Sequence, residues 1–135
     1  RKKILDIPYM LGSNKDDIMM TDEDRKAGRK GMLYEGCMAF SHKMEELYGR
    51  PSYVYYFTRQ LPGDSAGAFH SAELWYMFGT FGRCWRPLTE ADACLSVRML
   101  DYWTNFMKKG NPNGEGLPEW KACSREEPFI MKFDV

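Results

Sequence analysis

Apolar residues along the chain gather into short runs and periodic stripes, and each pattern predicts a particular element. From Ile4 to Gly12, the residues Ile4, Leu5, Ile7, Tyr9, Met10 and Leu11 form a dense run that closes at Gly12-Ser13-Asn14. Such a run predicts a buried strand of the parallel kind, with Pro8 marking its start and the polar loop Asn14-Lys15-Asp16-Asp17 at its carboxyl end. A long helical stretch then opens at Thr21 or Asp22, with Glu23 and Asp24 at the end where a helix favours acids. Its stripe is Leu33, Cys37, Phe40, Met44, Leu47 and Tyr48, while Gly28, Gly31 and Gly36 predict an irregular first half. Gly49 caps it and Pro51 prevents continuation. Ser52–Thr58 is almost wholly aromatic and β-branched and predicts a strand buried on both faces. A loop over Arg59–Phe69 leads to His70, and Leu74, Trp75, Met77 and Phe78 predict a short helix ending at Gly79. A second long helix starts at Thr89 with the stripe Ala91, Leu95, Met99, Tyr102, Trp103 and Phe106, and stops at Gly110-Asn111-Pro112-Asn113-Gly114. Pro128–Phe133 adds a last β-like run. Strand, helix, strand, helix, strand is an α/β pattern.

Composition narrows the function classes. The 135 residues carry 19 basic and 19 acidic side chains, with 44% hydrophobic and 15% aromatic positions. That is too apolar for a disordered chain, and long enough to bury roughly two-thirds of its unfolded surface. Without a charge excess, non-specific binding to nucleic acid or to an anionic membrane has little support. No apolar run approaches the ~18 residues that a transmembrane helix needs. Cys37, Cys84, Cys94 and Cys123 are widely separated and have no interleaved histidines, so zinc spacing is absent. They read as buried free thiols, which weakly favours a cytoplasmic, reducing setting. Arg1–Pro8 lacks the apolar core and cleavage site of a signal peptide.

Three features can carry chemistry. Gly63-Asp64-Ser65-Ala66-Gly67 matches the G-x-S-x-G nucleophile elbow in letters. An elbow needs a strand that runs straight into the turn. Here Arg59-Gln60-Leu61-Pro62 intervene, so an ordinary turn serine competes with a nucleophile. His70 follows the clearest strand, the position of the triad histidine in α/β-hydrolases, although a lone histidine is also a common surface or core residue. His42, beside Glu45 and Glu46, reads as part of a solvated helix face. The Asp16-Asp17 pair reads as a solvated turn by itself. Taken with His70 it gives the order acid, then histidine, in which the acid orients the imidazole and stabilises the imidazolium.

Longer matches now become visible. Ile7-Pro8-Tyr9-Met10-Leu11-Gly12-Ser13-Asn14-Lys15-Asp16-Asp17 resembles the acid-bearing segment of the type B carboxylesterases, the family of cholinesterases and para-nitrobenzyl esterases. Gly67-Ala68-Phe69-His70-Ser71-Ala72-Glu73-Leu74-Trp75-Tyr76-Met77-Phe78-Gly79 is similar to the family's histidine loop and following helix. Tyr102-Trp103-Thr104-Asn105-Phe106, Gly110-Asn111-Pro112-Asn113 and Leu117-Pro118-Glu119-Trp120 resemble its C-terminal signature. The matches keep their order and span nearly the whole chain.

The resemblance implies that residues 1–135 are the C-terminal part of an α/β-hydrolase domain, with about three strands, two long helices and an incomplete sheet. It implies a carboxylic ester hydrolase acting on small-molecule esters without a cofactor. His70 is then the general base and Asp17 occupies the triad acid position, where the family usually has glutamate. Three consequences stay open: the loop sits closer to His70, Asp16 takes the role, or the triad is weakened. Phe69 and Trp75 either line a substrate pocket or pack in the core. The family's serine elbow and oxyanion-hole glycines have no match here, so the chain by itself is expected to lack serine-esterase activity. A catalytically silent interaction domain is the alternative reading, and a small hydrolase using Ser65 a third. If the sheet is incomplete, the two central strands should lack parallel neighbours, and the isolated chain should oligomerise or require the rest of the fold.

Overall fold

The computed structural model describes residues 4–135; Arg1, Lys2 and Lys3, which begin the segment read for a leader, lie outside the described residues. Three strands form one parallel sheet in the order β1 (Met10–Asn14), β2 (Tyr53–Phe57), β3 (Met131–Phe133). The helices are α1 (Asp22–Lys26), α2 (Met32–Tyr48), α3 (Leu74–Met77) and α4 (Glu90–Lys109), with a short 3-10 turn at Phe81–Arg83.

The first strand lies further along the chain than its apolar run predicts. Leu5 and Ile7 are exposed, and the ladder covers Met10–Asn14, so Gly12-Ser13-Asn14 belongs to the strand instead of ending it. The reason is the register. Gly12 pairs with Tyr55, and a Cβ on Gly12 would stand 2.3 Å from Cγ of the Tyr55 ring. The glycine is a slot for a neighbouring aromatic ring, not a turn former.

The first helical stretch resolves into two helices. Thr21 closes a capping box with Asp24 and starts α1, which stops within five residues. Gly28 and Gly31, both at positive φ, carry the chain into α2, and Gly49 at φ 65° ends it. The buried face of α2 centres on Tyr34, Ser41 and Met44, whereas Leu47 and Tyr48 are exposed. Ser41 Oγ donates to the Cys123 carbonyl at 2.7 Å and accepts from the Ser52 amide at 2.7 Å. One buried hydroxyl thus joins α2 to the start of β2 and to the C-terminal segment. His42 departs from its expected solvated position: it is half-buried, and its buried Nε2 has no hydrogen-bond partner among the described residues.

The strand β2 is the spine of the molecule. Val54 and Tyr56 face α2, where Tyr56 meets the Tyr34 ring edge-on at 5.0 Å. Tyr53, Tyr55 and Phe57 face the other way, toward α3 and α4. There Tyr102, Trp103, Trp120 and Phe133 close an aromatic core with ring centroids 5.3–6.0 Å apart. The C-terminal signature holds this core together: Asn113 accepts from the Trp120 amide at 2.6 Å and donates to its carbonyl at 2.8 Å, and Tyr102 donates to the Pro118 carbonyl. The result is three layers, α2 over the sheet over α3 and α4, which is the α/β-hydrolase arrangement with a small open sheet.

The expectation that two central strands lack parallel neighbours is corrected. The strand β2 has a parallel partner on each side, and β3 pairs with it from Tyr55↔Met131 to Phe57↔Phe133. Among the described residues only the outer edges of β1 and β3 have no strand beside them. The four cysteines are free thiols, of which only Cys123 is fully buried, while Cys94 is exposed. No helix among the described residues is long and apolar enough to cross a membrane.

Candidate active site

Two loops meet at the carboxyl ends of β1 and β2. The loop after β1 carries Asp16 and Asp17; the loop after β2 carries Ala68, Phe69 and His70. Backbone bonds join them: the Asp16 amide donates to the Ala68 carbonyl at 3.0 Å, and Asp16 and Phe69 form a parallel bridge. Asp16 Oδ2 accepts from the Ala68 amide at 2.9 Å, and its Oδ1 faces Arg25 at 3.3 Å. Gly67, at φ 72°, leaves room for this carboxylate, because a Cβ there would stand 2.3 Å from Asp16 Oδ2.

This join brings His70 onto Asp17. His70 Nδ1 lies 2.5 Å from Asp17 Oδ1. An ionised carboxylate only accepts, so Nδ1 carries the proton and Nε2 keeps its lone pair. The Asp17 side chain is 7% exposed and the His70 side chain 55%, so the pair has a buried acid end and an open base end. No hydrogen bond among the described residues engages Nε2. Asp17 is itself fixed by the Asn14 amide at 2.8 Å on Oδ2 and the Ile18 amide at 2.9 Å on Oδ1. Asp17 reaches the imidazole where the loops are joined directly, and among the described residues Asp16 has no hydrogen bond to it.

Asn14, Glu73 and Tyr55 form a second join that the motifs did not point out. The buried Asn14 amide group donates to the Phe69 carbonyl at 2.7 Å and to Glu73 Oε2 at 2.5 Å, and Tyr55 donates to Glu73 Oε1 at 3.3 Å. Burial and the adjacent Glu73 carboxylate push the Tyr55 phenol up, so it stays a donor. Burial, with Asp17 nearby, pushes the Cys37 thiol up to about 11, which keeps it neutral beside the acid. The two non-glycine residues at positive φ among the described residues are Met19 and Ser71, at 67° and 70°. They stand two residues after Asp17 and directly after His70. Such backbone costs about 1–3 kcal/mol and concentrates where a site over-determines it.

Ser65 lies in an exposed turn and has no hydrogen bond to His70 among the described residues. Its motif forms a latch: Asp64 accepts from the Ala66 amide at 3.0 Å and takes a two-pronged bond from Arg86 at 2.7 and 2.8 Å. The Arg86 guanidinium sits 5.1 Å from the centre of the Phe69 ring, directly before His70. Phe69 and Trp75 are partly buried and pack against the core. Among the described residues no three His, Cys, Asp or Glu side chains gather as a metal-binding group.

The sequence model of the Carboxylesterase family matches residues 8–135. Cocaine esterase of Homo sapiens is 43% identical over 65 residues, covering 47% of this chain and 12% of the relative. A solved esterase from Clostridium hathewayi, described as hydrolysing aliphatic aromatic polyesters, superposes on 95% of this chain and 34% of its own with a TM-score of 0.77 at 18% identity. A PNB esterase structure covers 84% of this chain and 24% of its own, with a TM-score of 0.67 and 25% identity. The chain spans an eighth to a third of the length of these proteins. With its strands, its joined acid and histidine loops and its C-terminal aromatic core all within the matched region, the chain belongs to the carboxylesterase family.

Proposed function

We propose that this chain supplies the base and the orienting acid of a serine carboxylesterase whose nucleophile lies elsewhere in the full-length protein. The observation that carries the reading is the His70–Asp17 bond, which directs the Nδ1 proton into a buried carboxylate and leaves Nε2 open. A serine hydroxyl brought to Nε2 would give up its proton as its oxygen attacks an ester carbonyl. The imidazolium so formed keeps its Nδ1–H on Asp17, whose charge stabilises it. Nε2–H then passes to the departing alcohol oxygen, and water repeats the sequence on the acyl-enzyme to release the acid. Each step moves one proton through Nε2, and no cofactor is invoked.

The test is hydrolysis of short-chain nitrophenyl esters by the full-length protein. His70→Ala is expected to lower kcat by about 10⁶-fold, and Ser65→Ala to leave it nearly unchanged. Most of the activity surviving in the His70→Ala protein would sink the role given to His70. The 135-residue chain assayed by itself is expected to be inactive.

A further inference from the structure

A second hollow opens on the α2 face of the sheet, away from α3 and α4. Its volume is about 670 Å³, within the ~300–1,000 Å³ of small-ligand pockets. It sits where Lys15 and Thr58 follow the ends of β1 and β2, beside Lys132 within β3, and the Gly28–Lys30 connection between α1 and α2 forms its other wall. Ligands of open α/β sheets bind outside the carboxyl ends of the strands.

The charge of this hollow does not follow the chain, whose net charge is zero. The lining holds an excess of three positive charges, with Asp16 and Asp134 as its only acids. Some of its cations are already paired: Arg25 with Asp16 and Asp22, Arg29 with Glu23 and Asp24, and Lys132 with Asp134 at 3.8 Å. Lys15 and Lys30 have no carboxylate partner among the described residues. The Lys30 ammonium instead lies 4.7 Å from the Tyr34 ring centre and 5.8 Å from that of Tyr56, with the Tyr34 hydroxyl at 3.3 Å. The aromatic rings hold this cation in place but leave its charge unneutralised. The remaining wall is apolar, from Met20, Ile130 and the tyrosine rings.

We infer that this hollow binds a small organic anion, with a carboxylate on Lys15 and Lys30 and an apolar or aromatic body against Tyr34, Tyr56 and Ile130. The apolar wall favours a carboxylate with a body over a bare inorganic ion. Asp16 separates this site from the catalytic pair: it lines the hollow while bonding Ala68, two residues before His70. The inference therefore stands on its own residues and does not need the esterase reading.

Calorimetric titration of the full-length protein with benzoate at pH 7 and low salt tests it. Saturable binding that weakens as sodium chloride is added is expected, together with no saturable binding of benzamide, which keeps the shape and loses the charge. Lys30→Met and Lys15→Met are each expected to weaken benzoate about tenfold, the effect of one charged hydrogen bond. The melting curve of each variant reports whether it is folded, and Lys15, exposed and outside any strand or helix, gives a variant that leaves the packing alone. No saturable benzoate binding, equal binding of benzamide, or unchanged binding by both folded variants would overturn the site. Inorganic phosphate binding as tightly as benzoate would overturn the apolar body. A His70→Ala chain is expected to bind benzoate as the parent does, so failure of this site and failure of the esterase mechanism are read separately.

Discussion

At Gly12 the Tyr55 ring occupies the space where any other residue would place its Cβ, and the two residues are paired across the ladder. Gly12→Ala must therefore displace the ring or the strand, at a cost of about 1–3 kcal/mol. A urea denaturation series is expected to show a lower midpoint with an unchanged slope. Residues that act through sequence neighbours were legible beforehand. Thr21, Thr89, Gly49 and Gly110 announce helix ends through local chemistry, and the structure places each at its cap. His70 and Asp17 were legible because each stands at the end of a strong β run inside a longer resemblance. The sequence pattern puts Asn14 in a loop and points to no role for Glu73. Their bond spans 59 residues of sequence, and no local pattern predicts which polar side chain of a strand will turn inward.

Among the elements, α4 shows how a helix end can do more than cap. Thr89 and Asp92 form its capping box, but Asp92 also takes a two-pronged bond from Arg59 at 2.7 and 3.0 Å and a bond from Tyr76 at 2.8 Å. Arg59 follows β2 and Tyr76 lies in α3, so this buried carboxylate holds both ends of the segment that contains His70. Burial by itself would raise the Asp92 carboxyl; the bonds from Arg59, Thr89 and Tyr76 outweigh it and hold it well below the usual carboxylate range. Its stabilisation is thus complete above the unfolded carboxylate value, about pH 4, and is lost as the pH falls toward the lower folded value. Asp92→Asn is expected to cost about 3–5 kcal/mol at pH 7, because it leaves Arg59 unpaired. That penalty should shrink as the pH falls below about 4, as thermal melts of both proteins across pH 2–7 would report. A penalty independent of pH would remove the acid-linked part of this account. The break between α1 and α2 was legible only as irregularity, since glycine weakens a helix without saying where the chain turns.

For the whole molecule, the order and direction of the strands follow from the alternation of strand and helix, since parallel neighbours need crossovers. The exact ladder does not: β1 begins six residues beyond the first residue of its apolar run, because the Tyr55 ring, not local hydrophobicity, sets the pairing. The outer edge of β1 has no strand beside it among the described residues, and Leu5, Ile7, Ile18 and Met19 are exposed. Unpaired edges next to apolar surface invite association. Light scattering of the 135-residue chain is expected to give a mass above 15.8 kDa, and a stable monomer would count against this. The sheet order has one more consequence, for the timing of failure under stress. Asp17 follows β1, the rim strand of the described sheet, and the loop that carries His70 is bonded to the loop after that same strand. Rim strands open in small, sub-global excursions that leave the core intact. The Asp17–His70 bond and the backbone join beside it therefore hang on a strand that opens more easily than the aromatic core, and they are expected to open while that core is still folded. In such a chain a melting temperature overstates the range over which Asp17 and His70 are held together.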